Sequence, residues 1–101
     1  VKITAQVADG VARLGLSGEL DMSTTVLLRE QVTATVAGAR PRVLIIDAVD
    51  LDFCDSSGVQ ALVDARRRVL HEGIAFRLAN PRGITRRTLQ ITGVLDVLTG
   101  E

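Results

Sequence analysis

The run Val43-Leu44-Ile45-Ile46, closed by Asp47, most narrows what this chain can fold into. Consecutive aliphatic and β-branched residues leave no polar face for water. The run therefore suits a strand covered on both sides, as in the middle of a parallel sheet, with Asp47 at its carboxyl end. It is far too short to span a bilayer. A parallel strand needs a crossover before and after it, and helical patterns stand on both sides.

Upstream, Val1, Ile3, Ala5 and Val7 alternate with Lys2, Thr4 and Gln6, the period of a strand with one face on a core. Asp9-Gly10 is a two-residue turn tolerant of positive φ, and Ala12, Leu14 and Leu16 resume the alternation. Residues 1–17 thus read as a hairpin ending near Ser17-Gly18. Ser23 is placed to cap a helix, with Met22 stapled onto Leu27. Leu28, Val32 and Val36 form that helix's apolar face, and Gly38 and Pro41 stop it.

Downstream of the central run, Val59, Leu62, Val63, Val69 and Leu70 predict a second helix of about four turns that ends near Gly73. Ile74, Phe76 and Leu78 alternate as another strand. Asn80-Pro81-Arg82-Gly83 is a loop. Ile84, Thr88 and Ile91 with Leu89 predict a third short helix closed by Gly93, and an apolar tail follows at Val94 to Leu98. The order is β-β-α-β-α-β-α: an α/β chain forming one domain over 1–101, with a mostly parallel sheet and an antiparallel N-terminal edge strand. In such sheets, sites gather outside the carboxyl ends of the strands, here the loops after Leu16, Asp47 and Leu78.

Composition excludes several functions. A chain of 101 residues, 47% hydrophobic and 24% charged, has enough apolar surface for one modest core. Twelve basic residues balance twelve acidic ones, and there are two Phe with no Trp or Tyr. Neither a net positive field nor aromatic stacking platforms are present to engage nucleic acid. One cysteine, Cys54, cannot form an intramolecular disulfide, and it reads as a small buried hydrophobe. These features point to a cytoplasmic chain with no membrane partner. It opens on Val1-Lys2-Ile3 rather than on a methionine, which leaves open that it was cut from something larger.

The segment “LDFCDSSGVQALV”, residues 51–63, concentrates the polar chemistry. In its plainest reading, Asp55 or Ser56 is a helix N-cap contributing about 1 kcal/mol. A serine nucleophile needs a base, and the only histidine, His71, lies about 15 residues away along the same helix, or ~22 Å. It reads as a helix C-terminal cation. Neither G-x-S-x-G nor a P-loop occurs. Asp47, Asp50, Asp52 and Asp55 lack the spacing of a calcium loop and read as solvated charges, so no metal or cofactor is expected. Arg66-Arg67-Arg68 reads as a solvated helix face.

Together, “SGELD” at 17–21, “VLIIDAVDLDFCDSSGVQAL” at 43–62 and “RLANPRG” at 77–83, followed by “LQITGVLDVL” at 89–98, resemble the STAS-domain family, in particular the bacterial anti-sigma factor antagonists. The resemblance implies a regulatory binding module, not an enzyme. Unphosphorylated, such a protein binds an anti-sigma factor with a histidine-kinase-like ATPase fold, often itself the serine kinase, and so frees a sigma factor. Phosphorylation of the serine after the aspartate, here Ser56, breaks the complex, and a PP2C-type phosphatase resets it. Asp21 matches the family's aspartate on the neighbouring loop, beside Ser56. The partner surface is expected to comprise Asp21, Asp55, Ser57, Gly58 and Gln60, with the loops Asp21 to Thr24 and Asn80 to Gly83. Val59-Gln60 stands where the family commonly has Leu-Gly, which places a polar side chain in the first turn. The alternatives are a cytoplasmic STAS domain of an anion transporter or larger sensor, and a small enzyme using Ser56 with a base from another subunit.

Overall fold

In the computed structural model, which describes residues 1–100, the elements run β1 (Lys2–Ala8), β2 (Val11–Leu20), α1 (Thr25–Ala39), β3 (Val43–Cys54), α2 (Ser56–His71), β4 (Ala75–Ala79), α3 (Gly83–Ile91) and α4 (Leu95–Thr99). The strands form one sheet in the order β1-β2-β3-β4. β1 is antiparallel to β2 through the Asp9-Gly10 turn, whose residues have φ of 54° and 80°. β2, β3 and β4 are parallel. The architecture is the expected α/β one, and the apolar tail is a further short helix, α4.

Both parallel crossovers advance across the sheet in the same direction. With the usual right-handedness they bring α1 and α2 to one face. There α1 packs on α2, and α2 touches α3 and α4. The core lies between this layer and the sheet, around Leu14, Leu44, Ile46 and Leu78 on the strands and Leu28, Val32, Leu62, Leu89 and Leu98 on the helices.

Among the described residues the other face carries no helix, so β3 is not covered on both sides as its apolar run suggests. Its residues alternate between buried Leu44, Ile46 and Ala48 and half-buried Val43, Ile45 and Asp47. The open face is polar instead. Arg13 Nη2 donates to Asp47 Oδ2 at 2.8 Å, and Asp47 Oδ1 accepts from Asn80 Nδ2 at 3.1 Å and from the Val49 N–H at 3.0 Å. Asp47 thereby ties β2 and β3 to the loop after β4, and Asn80 in that loop is held at a φ of 58°. Nor does Asp47 end its strand: β3 continues to Cys54, and β2 to Leu20, with register shifts on the way.

Local expectations fail where tertiary contacts decide. Ser23 does not cap α1; it bonds to Asp21, the N-cap position falls to Thr24, and Met22 and Leu27 are both exposed. The helix runs through Gly38 to Ala39 and turns out at Arg40, which has a φ of 43°. Val1, just before β1, and Ile3 on it pack on the core, while Ala5 and Val7 lie exposed on this edge strand. In α3 the buried residues are Thr85 and Leu89, and Ile84 and Ile91 face solvent. Thr85 takes the inner position because its hydroxyl donates to the Leu51 carbonyl at 3.0 Å, satisfying an otherwise buried acceptor. Leu70, expected on the inner face of α2, is exposed as well, and Ala65 is buried there.

Partial burial pushes the Asp47 pKa up, but the bonds from Asn80, Val49 and Arg13 and the Arg13 charge outweigh it, holding the carboxyl below its ordinary 3.8. Its contribution is complete above that value and is lost as pH falls through the folded-state pKa. Asp47→Ala should therefore cost about 1–2 kcal/mol in urea denaturation at neutral pH. The gap to wild type should narrow below pH 3.8; a gap that is constant with pH would show that the carboxylate charge is not involved.

Candidate functional site

The loops after β2, β3 and β4 meet at the carboxyl edge of the sheet, and Ser56 opens α2 there. One close approach sets the position of that helix. A Cβ built on Gly58 would lie 2.5 Å from the Leu20 carbonyl oxygen and 2.7 Å from Cys54 Sγ, so the first turn of α2 rests directly on the ends of β2 and β3. Gly58, expected on the partner surface, is buried. Its role is to let the backbone in, and no larger residue fits without moving α2.

Asp55 is the N-cap of α2, its Oδ1 accepting from the Gly58 N–H at 2.9 Å, while its own N–H donates to the Leu20 carbonyl at 3.3 Å. The plain reading of the aspartate is thus correct. Its cap leaves the next residue, Ser56, exposed in the first turn, with a hydroxyl that makes no hydrogen bond among the described residues. Ser57 is half-buried. Gln60 is exposed one turn on and donates from Nε2 to Asp64 Oδ1 at 2.9 Å.

Asp21 follows Leu20, the residue on which Asp55 and Gly58 rest, so its loop adjoins the start of α2. Asp21 Oδ1 accepts from the Ser23 hydroxyl at 2.7 Å and the Ser23 N–H at 3.0 Å, and its own N–H donates to Thr24 Oγ1 at 2.9 Å. The Ser23 hydroxyl above all, with the Ser23 N–H and Thr24, holds the carboxyl below its ordinary 3.8 against an opposing desolvation effect. Asp21 therefore orders its loop as an anion. The Asn80 loop is held at the same end by Asp47 and by Arg82 Nε, which donates to the Val49 carbonyl at 2.6 Å.

Three exposed apolar residues stand at this end of the molecule, and of these only Met22 falls within a loop expected on the partner surface. Met22 is 78% exposed in the loop after β2, Ile84 60% in the first turn of α3, and Phe53 39% at the end of β3. The local patterns also make Met22 a staple and Ile84 a core position, and give Phe53 no role. Their signal is that they directly neighbour loop or site residues rather than sitting inside a periodic run.

The remaining candidates separate from the site. His71 is exposed at the last residue of α2, ~22 Å from Ser56 along the helix. Asp47, Asp50 and Asp52 are strung along the extended β3, with Asp55 just beyond it as the cap of α2, and no group of three or more acidic, His or Cys side chains able to hold a metal occurs among the described residues. Burial, and then the negative charge of Asp55, push the Cys54 thiol up to about 12. No helix among the described residues is long and apolar enough to cross a membrane.

The fold is shared with known proteins. The chain matches the STAS domain over residues 2–100. It belongs to the STAS-domain family. The anti-sigma-F factor antagonist RsfB of Mycobacterium tuberculosis is 32% identical over 94 residues, covering 91% of this chain and 75% of the relative. The crystal structure of an anti-sigma factor antagonist from Mycobacterium paratuberculosis superposes with a TM-score of 0.83 at 31% identity, over 97% of this chain and 81% of that one. The anti-sigma factor antagonist SpoIIAA in its unphosphorylated form gives 0.79 at 26% identity, over 97% and 85%. These relatives are named as anti-sigma factor antagonists, and this chain shares the fold of the two solved structures over 97% of its length.

Two measurements test the local account. Gly58→Ala should destabilise the domain by about 2–3 kcal/mol through overpacking against the Leu20 carbonyl. Asp55→Ala should cost about 1 kcal/mol, with Asp55→Asn close to wild type because asparagine also caps. Independently, Cys54 should react with a thiol reagent at neutral pH far more slowly in the native protein than after denaturation; equal rates would contradict both its burial and its raised pKa.

Proposed function

We propose that this STAS domain is an anti-sigma factor antagonist switched by phosphorylation of Ser56. Unphosphorylated, it binds an anti-sigma factor that has a histidine-kinase-like ATPase fold and serine-kinase activity. The kinase transfers the γ-phosphoryl group of ATP to Ser56 Oγ: the bond to the leaving ADP breaks, the Oγ–P bond forms, and the hydroxyl proton is released. A PP2C-type phosphatase returns the serine by hydrolysis. The observation that carries this reading is the free, exposed hydroxyl of Ser56 in the first turn of α2, beside a cap that leaves it unoccupied.

The physics of that position suits a switch. Free N–H groups and the helix dipole favour an anion at the start of α2, so a phosphate there need not unfold the domain. Its effect falls on the surface. A partner carboxylate ~5 Å away would be repelled by roughly 3 kcal/mol per unit charge at an effective dielectric of ~20, on the order of a hundredfold in affinity. The exposed Met22, Phe53 and Ile84 supply apolar area for the same partner around the charge-sensitive centre. Asp21, Asp55, Ser57 and Gln60 belong to this reading as the ordered polar groups next to Ser56.

Incubation with the cognate anti-sigma kinase and labelled ATP should mark wild type and Ser57→Ala but not Ser56→Ala. Ser56→Asp, with one charge in place of nearly two, should weaken binding to the anti-sigma factor by about tenfold or more in calorimetry while the fold persists. Undiminished labelling of Ser56→Ala, or wild-type affinity for both Ser56→Asp and the phosphorylated protein, would overturn the proposal.

A further inference from the structure

α1 and α2 both start at the site and run side by side away from it. Between their first turns lies a shallow hollow lined by Thr25 and Arg29 of α1 and by Ser56, Gln60 and Asp64 of α2. Arg29 is the one cation in that lining. Its guanidinium forms no ion pair and no hydrogen bond among the described residues, whose ion pairs are Arg13 with Asp47 and Arg67 with Asp64. The one carboxylate in the lining, Asp64, is already engaged by Gln60 at 2.9 Å and by Arg67 at 3.5 Å. Arg29 and Ser56 thus line one hollow, and Gln60, which lines it too, sits only ~6 Å below that serine along α2.

We infer that Arg29 is the intramolecular partner of a phosphate on Ser56, pairing α1 to α2 across the hollow when the serine is modified. This rests on the proposed phosphorylation of Ser56. It adds a residue from outside the Asp-Ser-Ser-Gly motif that reads the modification within the chain. In the unmodified state the guanidinium is free to face a partner. In the modified state it is drawn to the phosphate, so modification removes a cation from the binding surface as well as adding an anion. Fork-like pairing of guanidinium and phosphate suits Arg, and Lys would serve as a weaker point charge.

The test uses protein with phosphoserine installed at position 56 during translation, so it does not depend on any kinase. The pH midpoint of the phosphate's second ionisation is followed by phosphorus NMR. A nearby cation favours the dianion, so Arg29→Gln should raise the midpoint by about half a unit, with Arg29→Lys in between. Asp21, Asp55 and Asp64 are the anions that share this end of the two helices and act the same way in every variant. Arg68→Gln, further along the groove, should titrate like wild type. A midpoint in Arg29→Gln equal to wild type, or an equal shift in Arg68→Gln, would overturn the pairing. Failure of a kinase to label Ser56 would instead count against the phosphorylation reading and leave these titrations unchanged.

Discussion

The contact between Gly58 and the Leu20 carbonyl governs the functional end of this molecule. A side chain at that position would strike backbone, so glycine there lets α2 start directly on the ends of β2 and β3. With the helix seated, Asp55 reaches the Gly58 N–H to cap it and donates its own N–H to Leu20. Ser56 is left in the first turn with a hydroxyl that bonds to nothing among the described residues. The motif Asp-Ser-Ser-Gly thus divides its labour: the outer two residues build the platform, and the first serine is presented on it.

A second constraint acts on the opposite side of the sheet. Parallel strands are normally buried on both faces, yet here every helix lies on one. The open face is stabilised by polar groups, with Arg13 and Asp47 paired in its middle and Asn80 bonded to the same carboxylate. Asp47 thereby does at the open face what Leu20 does at the edge: it anchors a loop, the one holding Asn80 to Arg82, at the end where Ser56 lies. The two anchors are independent. The site is consequently a rim on three strand ends, with each loop tied to the sheet by its own hydrogen bonds.

Much of this was legible in the residues alone, and for identifiable reasons. Alternation in β1 and β2 around Asp9-Gly10, the aliphatic run of β3 and the Leu28-Val32-Val36 stripe are periodic signals, and periodicity reports secondary structure directly. They were enough for the order of elements and the mixed sheet. The aspartate-serine step was readable as a helix start because capping is a local bond between residues three apart.

Tertiary structure decided what depended on contacts distant in sequence. Whether Ile84 or Thr85 faces inward turned on the Leu51 carbonyl 34 positions away, which needs a hydroxyl more than an apolar group. Gly58 looked like part of a surface until Leu20 was found beneath it, and the free cation at Arg29 became visible only once α1 lay along α2. The sequence by itself determined the strands, the first three helices and their order, because each follows from the chain's own local period and hydrogen bonding. Which face of each element is covered, and which charges meet, was settled only by the fold, because burial and pairing are properties of residues brought together from separate segments.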